Sequence, residues 1–407
     1  MDAIRKLKAI QELEELEELE AMEEEQEKRK HRFWVNPFLI LRETHDLEQH
    51  LLKDILWEQG NDYQNFCRMS IDRFTAVLLL VEPSIKRQDT RMRFAITPRV
   101  RLAVTLRYIA TGDSYRSMEF LSRISRKTIA KFIPDVLFAI YDALHYSYMK
   151  TPTTESEWLT ISNEFEKFWD FPHTLGSIDG KHIRITAPSH SGSDFYNYKG
   201  YFSIVLLAVV DAHSKFLYID VGGNGRASDV IIYKNCSLYK GLTAGRLNIP
   251  KEKCLKGQKV ATPYFFIGDD IFGLDKHLMK GFGRSAKLNT QQEILNYRLS
   301  RCRLTVEMAF GRLASRFRIL HRPIDLALGT SEALVKACCV LHNYLSPTLN
   351  KSPDVEQASS NPLPETMLDL GTQEVSGYKY ASKIRENLAH YCVTDGDVAY
   401  QWTKISK

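Results

Sequence analysis

The sequence predicts an α/β fold in which an all-helical region with a helix-turn-helix precedes a core built on a mixed sheet. Its composition is that of a globular protein, since 44% of the 407 residues are hydrophobic and 26% are charged. Residues 33–150 show helical spacing of apolar positions almost throughout. From about residue 172 the pattern changes to short apolar or alternating runs bounded by turn residues, which is typical of strands. Strands followed by helices predict a mixed sheet with helices packed on it.

An acidic arm, residues 1–32, opens the chain and is predicted to be helical because it contains no Gly or Pro. Its apolar residues recur every three positions, so the apolar stripe winds around the helix and does not form the seam of a long coiled coil. Residues 1–31 hold eleven acidic and six basic residues. The whole chain holds 50 acidic and 55 basic residues, so the remainder has 39 and 49, a net charge of +10. A basic body of this kind fits a polyanionic partner.

Two features of the acidic arm have two interpretations each. The basic run at residues 28–32 is either a nuclear import signal or the basic end of a helix, which the helix dipole favours. The glutamate-rich stretch at residues 12–27 either docks a basic partner or serves as a solubilising tail.

Several protein classes are not expected. The longest apolar run, residues 202–210, is far shorter than the roughly 20 residues that a membrane helix needs. An acidic amphipathic start is unlike a secretory signal. The seven cysteines include no CxxC pair, so neither a disulfide framework nor a structural zinc site is expected. These features together predict a soluble protein of a reducing intracellular compartment.

A helix-turn-helix is predicted within the helical region, at about residues 97–145. Thr97 and Pro98 are residue types favoured at a helix N-cap and at the first helical position. A short helix then ends in a turn at residues 122–125, and a second helix starts near Arg126. The usual turn glycine is absent, and any three-helix packing unit gives a similar pattern, so a purely structural unit is the alternative. If the unit binds DNA, the contacts are expected from the bases that open its second helix: Arg126, Lys127 and Lys131.

Residues 151–345 are predicted to form the sheet core. Strands are expected at residues 175–178, 202–210, 216–221 and 264–267, with a crossover helix at residues 228–238. Residues 346–378 are rich in Ser and Pro and predict a flexible linker. A C-terminal tail at residues 379–407 follows, with one more helix expected at residues 381–391.

Three acidic residues are candidates for chemistry. Asp179 and Asp269 each follow a short apolar strand, and ligand sites in α/β sheets favour strand ends. Glu307 is the only acid in residues 297–323, a segment with seven arginines and a continuous apolar stripe. Convergent carboxylates suit Mg²⁺, a hard ion that prefers oxygen ligands. The arginines would then face phosphates, and the candidates for this contact are Arg301, Arg303, Arg312, Arg316 and Arg318.

Each acidic candidate also has a purely structural interpretation. Asp179 precedes a glycine and suits a turn, and Asp270 could take the place of Asp269. Glu307 suits an ion pair with Arg303, which lies four residues earlier on the same helix. Spacing alone leaves these alternatives open.

Five sequence blocks, in order along the chain, resemble those of the PIF/Harbinger transposases and the domesticated nuclease-like proteins derived from them. The blocks are DGKHI at residues 179–183, SGSDFYNYKGYFSIVLLAVVDAHSKFLYIDVG at 191–222, FFIGDDIFGLDKHLMK at 265–280, NYRLSRCRLTVEMAFGRLASRFRIL at 296–320 and CCVLHNYL at 338–345. The resemblance extends over residues 97–345. Met308 stands where Asn is common, and Gly281-Phe282 where a Pro-aromatic pair is usual; neither change removes a ligand.

The resemblance implies an RNase H-like catalytic core with a DDE triad, which carried over by position is Asp179, Asp269 and Glu307. These residues would be both catalytic and metal-binding, holding two Mg²⁺ or Mn²⁺ ions for phosphodiester hydrolysis and strand transfer. Double-stranded DNA and a separate Myb-like DNA-binding protein would be the partners, and a homo-oligomer is left open. The location would be the nucleus, with the cytoplasm expected when the partner is lacking. The alternative is a domesticated DNA- or chromatin-binding adaptor that keeps the fold and no longer cleaves.

Overall fold

The computed structural model describes residues 37–40, 42, 47, 61–91, 94–283, 287–346 and 376–405. The acidic arm and most of the predicted linker lie outside these residues. The described helices are α1 (Pro37–Ile40), α2 (Asn61–Cys67), α3 (Ile71–Ile85), α4 (Pro98–Thr111), α5 (Tyr115–Ser122), α6 (Arg126–Tyr148), α7 (Glu155–Trp169), α8 (Asp229–Asn235), α9 (Ser237–Thr243), α10 (Thr290–Arg316), α11 (Leu328–Leu345), α12 (Ser376–Val393) and α13 (Ala399–Ile405). The strands are β1 (Thr174–Arg184), β2 (Ser203–Val210), β3 (Phe216–Asn224), β4 (Lys253–Cys254), β5 (Ala261–Thr262), β6 (Phe265–Ile267) and β7 (Leu278–Met279).

Helix α4 begins and ends at the residues that the sequence predicts. The Thr97 hydroxyl accepts a hydrogen bond from the Val100 amide at 3.4 Å, and Pro98 occupies the first turn, where it leaves no donor unsatisfied. Gly112 ends the helix with φ +71°, a conformation that glycine adopts without strain. A Cβ on Gly112 would lie 3.0 Å from the Ile319 Cα, so this position also lets the segment after α10 approach closely.

Helices α5 and α6 are separated by three residues, as predicted for the helix-turn-helix. The turn has no glycine because Arg123 takes the left-handed conformation, with φ +51°, and caps α5. Ser125 is the N-cap of α6, and its hydroxyl accepts a hydrogen bond from the Thr128 amide at 3.3 Å. Contact between this unit and DNA stays a prediction.

The predicted mixed α/β sheet is confirmed. Its five strands lie in the order β3-β2-β1-β6-β7. Strand β2 is antiparallel to both β1 and β3, whereas β6 is parallel to β1 and β7 is parallel to β6. The predicted crossover helix is two short helices, α8 and α9, broken at Cys236. Strands β4 and β5 form a separate small antiparallel pair that the sequence analysis did not predict.

Strand β2 is buried over all eight residues, and its alternating side chains serve two hydrophobic cores. Ile204, Leu206, Ala208 and Val210 belong to a core shared with helices α3, α4, α6 and α11. Val205, Leu207 and Val209 belong to a second core on the other face, shared with α7, α8 and α12. A continuous apolar run is expected of a strand that is covered on both faces.

Helix α10 takes part in both cores. Its N-terminal half packs through Leu295 and Leu299 in the second core, and its C-terminal half through Val306 and Leu313 in the first. The stripe of apolar residues predicted from the sequence therefore fixes the orientation of α10 over the sheet. This helix carries Glu307.

The C-terminal tail is tied to α10 through Arg298, which is only 1% exposed. Its guanidinium donates hydrogen bonds to the Gly396 carbonyl at 3.2 Å, to the Gln401 side-chain oxygen at 2.9 Å and to the Asp170 carbonyl. The predicted last helix is longer than expected, at Ser376–Val393, because it packs along α10.

Within the described part of the chain, no helix is both long enough and apolar enough to cross a membrane. All seven cysteines are free thiols, and six of them are buried.

Candidate active site

Asp179 lies in the middle of β1, at the point where the sheet opens on one side. Antiparallel β2 continues past it, with Ala208 opposite, whereas parallel β6 pairs only as far as Ser177. The interpretation of Asp179 and Gly180 as a turn is therefore wrong, and β1 also does not end at Asp179. The strand runs on to Arg184 because β2 supplies hydrogen bonds along that length. The pKa of Asp179 is raised to about 7: burial is the largest cause, the Arg303 charge lowers the pKa, and the charges of Asp269 and Asp229 raise it.

Asp269 follows β6, two residues beyond its last residue, and points toward the same side of the sheet. Its carboxylate accepts a hydrogen bond from the Ile271 amide at 3.1 Å. Burial raises the pKa of Asp269, and the Arg303 charge lowers it. The neighbouring Asp270 is exposed, and its backbone carbonyl accepts a hydrogen bond from Lys280 at 2.9 Å. Of the two aspartates, Asp269 is the one whose charge acts on the other acidic candidates.

Glu307 is half-buried on α10, above the sheet. Burial raises its pKa, the Arg303 charge lowers it, and the Asp269 charge raises it. The Arg303 guanidinium lies 3.5 Å from a Glu307 carboxylate oxygen, so the ion pair that the sequence analysis weighed as an alternative is present. It does not exclude a role in chemistry, because the same guanidinium also acts on Asp179 and Asp269.

A fourth carboxylate, Asp229, joins the group and was missed by the sequence analysis. It is the first residue of α8, after the N-cap Ser228. A Cβ built on Gly180 would lie 2.5 Å from the Asp229 carboxylate, so this side chain stands directly over the residue that follows Asp179. One carboxylate oxygen of Asp229 is buried without a hydrogen-bond partner among the described residues.

The electrostatics of Asp229 match those of the other three acids. Its pKa is raised to about 6: burial is the largest cause, the Asp269 charge also raises the pKa, and Lys199 lowers it. In the sequence, this residue was read only as part of a crossover helix. The available signal was an aspartate at a helix start directly after a strand of the core, a position that faces the same sheet edge as Asp179.

The four carboxylates come from β1, α8, the segment after β6, and α10. Asp179, Asp229 and Glu307 line a cavity of about 340 Å³, and Asp269 lies beside it. The rest of its lining includes basic and aromatic residues: Lys181, His182, Lys199, Tyr198 and Tyr201. Burial and the Lys199 charge lower the pKa of His182 to about 4, so this imidazole is neutral at pH 7. The cavity therefore holds both acidic and basic side chains, which suits a phosphate that is held against carboxylate-bound cations.

The donor set of this cavity fits a hard divalent cation. All four candidate ligands are carboxylates, which Mg²⁺ and Mn²⁺ accept. Burial is the largest cause that raises the pKa of each of these four acids, and a bound cation would offset its effect by favouring the charged form. In the described residues, no three His, Cys, Asp or Glu side chains are already placed closely enough to coordinate one ion. The fit is thus one of donor chemistry and charge.

The basic residues predicted to contact DNA divide into two groups. Arg301 and Arg303 are turned into the protein: Arg301 lies over the Tyr400 ring and 3.6 Å from an Asp170 carboxylate oxygen, and Arg303 pairs with Glu307. In the second group, Arg316 is half-buried. The other five side chains are exposed: Arg126, Lys127, Lys131, Arg312 and Arg318. DNA contact by this second group stays a prediction.

Comparison with known proteins identifies the segment that holds all four carboxylates. The sequence profile of the DDE superfamily endonucleases matches residues 178–343. This segment is similar to the DDE superfamily endonucleases. The resemblance to Harbinger-derived proteins is thereby confirmed, and the α/β core with its mixed sheet is the expected fold of such a domain.

Three curated relatives extend the DDE superfamily match. The chain is 27% identical to "Protein ALP1-like" of Arabidopsis thaliana over 271 residues, which is 64% of each protein. It is 25% identical to "Putative nuclease HARBI1" of Bos taurus and 24% identical to the Homo sapiens protein of the same name, over 65% of this chain and 71% of each relative. The match thus spans less than two thirds of the Arabidopsis relative. No solved structure matches the chain.

Proposed function

We propose that the protein is a metal-dependent DNA endonuclease whose site is formed by Asp179, Asp229, Asp269 and Glu307. The observation that carries this proposal is the convergence of four half-buried carboxylates, on four separate elements, within a segment that matches the DDE superfamily endonucleases. Mg²⁺ or Mn²⁺ ions held there would activate a hydroxyl nucleophile and stabilise the leaving oxygen of a phosphodiester. A DNA 3′-hydroxyl in place of water would make the same site a strand-transfer site, as in a transposase.

The residues of the chain have distinct tasks in this proposal. The four carboxylates would hold the ions, and the charge of the ions would stabilise the deprotonated form of each acid. Lys181 and Lys199, which also line the cavity, would bind the non-bridging oxygens of the scissile phosphate. Arg303 would balance the carboxylate charge from the third side, which is why we assign it to the site and leave it and Arg301 out of the DNA surface.

A non-cleaving adaptor explains the site less well. Burying like charges together costs stability, and the raised pKa values of all four acids show that the cost is present here. Residues held in an unfavourable arrangement that the fold does not need are typical of functional sites. An adaptor that binds DNA through its surface does not need a group of acids whose burial destabilises the fold.

Asp229 provides a test of the site as the structure has it. We expect the wild-type protein to nick supercoiled plasmid DNA in Mg²⁺ or Mn²⁺ and not in EDTA. Asp229→Asn should lower the nicking rate on the order of 100-fold or more, because a lost ligand removes several kcal/mol of transition-state stabilisation. Asp194→Asn, the same change at an exposed aspartate of the same domain, is the matched control. Full activity of Asp229→Asn would remove this residue from the site.

We also propose that a Myb-like DNA-binding protein guides the enzyme to DNA and into the nucleus. A single short helix-turn-helix offers few base-reading side chains, so the protein alone should bind DNA with little sequence preference. A tagged copy, expressed in cells that lack such a partner, is expected to stay largely in the cytoplasm. Strong nuclear accumulation there, with tight binding of the purified protein to one defined site, would show that no partner is needed.

A further inference from the structure

Tyr198 is an aromatic residue at the acidic cavity whose side chain the fold leaves in the open. It lies in the loop between β1 and β2 and lines the cavity together with Asp179 and Glu307, yet the residue is 67% exposed. A ring exposed to this extent contributes little hydrophobic stabilisation to the fold. Exposed aromatic side chains are enriched at binding surfaces, so the position of Tyr198 beside the carboxylates indicates contact with a ligand of the cavity.

Two neighbours position the Tyr198 ring. The His182 imidazole packs against it in an edge-to-face arrangement, with ring centres 5.6 Å apart and planes at 74°. The Lys199 ammonium lies 5.3 Å from the centre of the ring. Both neighbours also line the cavity. Because these contacts still leave Tyr198 67% exposed, a ligand in the cavity can pack against its ring.

The backbone beside Tyr198 is fixed by the preceding residue, Asn197. This side chain is only 3% exposed, and its Oδ1 accepts a hydrogen bond from the Lys199 amide at 2.9 Å. Its Nδ2 donates to the Ser203 hydroxyl at 2.9 Å, and the same hydroxyl lies 2.9 Å from His182 Nδ1. Ser203 is the first residue of β2, so the sheet supports the loop. A ring that is held in place before binding loses little conformational entropy when a ligand packs on it.

Aromatic and basic side chains are mixed on this side of the cavity. The sequence YNYKGY, residues 196–201, contains three tyrosines and a lysine. Tyr198 and Tyr201 line the cavity, as does Lys181, and the Arg184 guanidinium lies 5.1 Å from the centre of the Tyr201 ring. Proteins that bind single-stranded nucleic acids combine rings that stack on bases with cations that contact the backbone. The lining therefore matches a nucleotide better than it matches a phosphate alone, which offers no surface for stacking.

A base inside an intact duplex is not available to the Tyr198 ring. Each such base is paired and stacked between its neighbours, so contact with a protein ring requires that the base leave the stack. Leaving the stack costs free energy, and the cost is smallest for a base that is already unpaired. Stacking on an aromatic side chain offsets part of this cost for any of the four bases, because every base has a flat aromatic face.

We propose that Tyr198 stacks on an unpaired base next to the scissile phosphate, and that the preferred substrate is DNA with an unpaired nucleotide at the cleavage position. The inference rests on the proposed function, because the carboxylates would place the phosphate in the cavity that Tyr198 lines. The base of the adjoining nucleotide then packs on the exposed ring, while Lys199 stays beside the backbone. Stacking does not depend on which base is present, so this contact selects the shape of the DNA and not its sequence.

The test is binding without cleavage. Fluorescence anisotropy compares a fully paired duplex with one that has a single extra thymine in one strand, at one salt concentration and in Ca²⁺, an ion that carboxylates bind. Electrophoresis verifies that the DNA is intact. The wild type should bind the bulged duplex about 5-fold or more tightly than the paired one, the effect of one base stack. Tyr198→Leu should lose this preference, and Tyr198→Phe, which retains the ring, should keep it.

A direct measurement of stacking and a matched control accompany these affinities. 2-Aminopurine in place of the extra thymine is a fluorescent base that is quenched when it stacks. It should be quenched on binding to the wild type and to Tyr198→Phe, and not to Tyr198→Leu. Tyr146→Leu is the control, because Tyr146 is 79% exposed, lies on α6 and does not line the cavity. It should keep the preference of the wild type. Thermal unfolding and an unchanged affinity for the paired duplex show that each variant is folded.

The outcomes separate this inference from the proposed function. Equal preference for the bulge in Tyr198→Leu and the wild type overturns the inference, and if the wild type nicks plasmid, the proposed function stands. Equal losses for bulged and paired DNA in folded Tyr198→Leu would place Tyr198 on the duplex and also overturn it. So would a loss in Tyr198→Phe as large as in Tyr198→Leu, since the hydroxyl would then make the contact. A preference that depends on the ring, in a protein that does not cleave, supports the stacking contact and counts against the endonuclease.

Discussion

Replacing Asp269 with alanine is expected to abolish DNA cleavage, whereas the same change at Asp270 should leave most of it. Asp269 is the acid whose charge raises the pKa of Asp179, Asp229 and Glu307, so it stands at the centre of the carboxylate group. Its loss would remove the one carboxylate whose charge acts on all three of the others. The expected decrease is on the order of 1,000-fold or more, since several kcal/mol of metal-dependent stabilisation are lost and each 1.4 kcal/mol is about tenfold.

The measurement is single-turnover nicking of supercoiled plasmid with Mg²⁺ in excess. Asp270 is the matched control because it is the adjacent residue, has the same charge and is exposed. Far-ultraviolet circular dichroism of both variants checks that the fold is intact. Equal activity of Asp269→Ala and the wild type would be incompatible with the site described here, and a greater loss at Asp270 would exchange the two assignments.

Asp179→Asn is expected to stabilise the metal-free protein at pH 8 while it abolishes cleavage. Burial holds the pKa of Asp179 at about 7 in the folded chain, against an ordinary value of 3.8. The folded state therefore keeps its proton up to about pH 7, whereas the unfolded state loses it near pH 4. The contribution of Asp179 to the free energy of unfolding is therefore fully present below pH 4 and is lost as the pH rises through 7. With about 1.4 kcal/mol for each pKa unit, the loss at pH 8 is on the order of a few kcal/mol.

Urea unfolding in EDTA at pH 5 and pH 8 measures this effect. Asn does not titrate, so the free energy of unfolding of Asp179→Asn should exceed that of the wild type at pH 8 and approach it at pH 5. Saturating Mg²⁺ should reduce the difference at pH 8, because an ion that binds only the folded carboxylates stabilises the wild type. Asp194→Asn should differ little from the wild type at either pH. A wild type as stable as Asp179→Asn at pH 8 would mean that the Asp179 charge is already compensated.

Much of the candidate site could be predicted from the sequence. Asp179 and Asp269 were chosen because they border apolar strands, and Glu307 because it is the only acid on an arginine-rich helix. The structure places all three where their charges interact. Asp229 could not be chosen in this way, because an aspartate at the start of a helix is common for capping reasons alone. Only its position over Gly180, brought about by the return of the chain from β3 into α8, distinguishes it.

The sequence also could not predict which arginine side chains point into the protein and which point into solvent. Arg298, Arg301 and Arg303 share a basic segment with the exposed Arg312 and Arg318, and nothing in the spacing separates the two sets. The C-terminal tail separates them, because it covers the first half of α10 and supplies carbonyl, amide and aromatic partners for Arg298 and Arg301. These partners lie about 100 residues away in the chain, beyond any local pattern.

What the sequence by itself determined is the α/β class, the order of the elements, the ends of helices such as α4 and α6, and three of the four acids. Those features follow from hydrophobic period, turn residues and capping residues, all of which act within a few positions along the chain. Only the tertiary structure decided that Asp229 joins the candidate site and that Arg303 balances its charge. The physical reason is that burial and charge proximity depend on strand register and helix packing between segments 50 to 130 residues apart. The same burial raises the pKa values of the four acids.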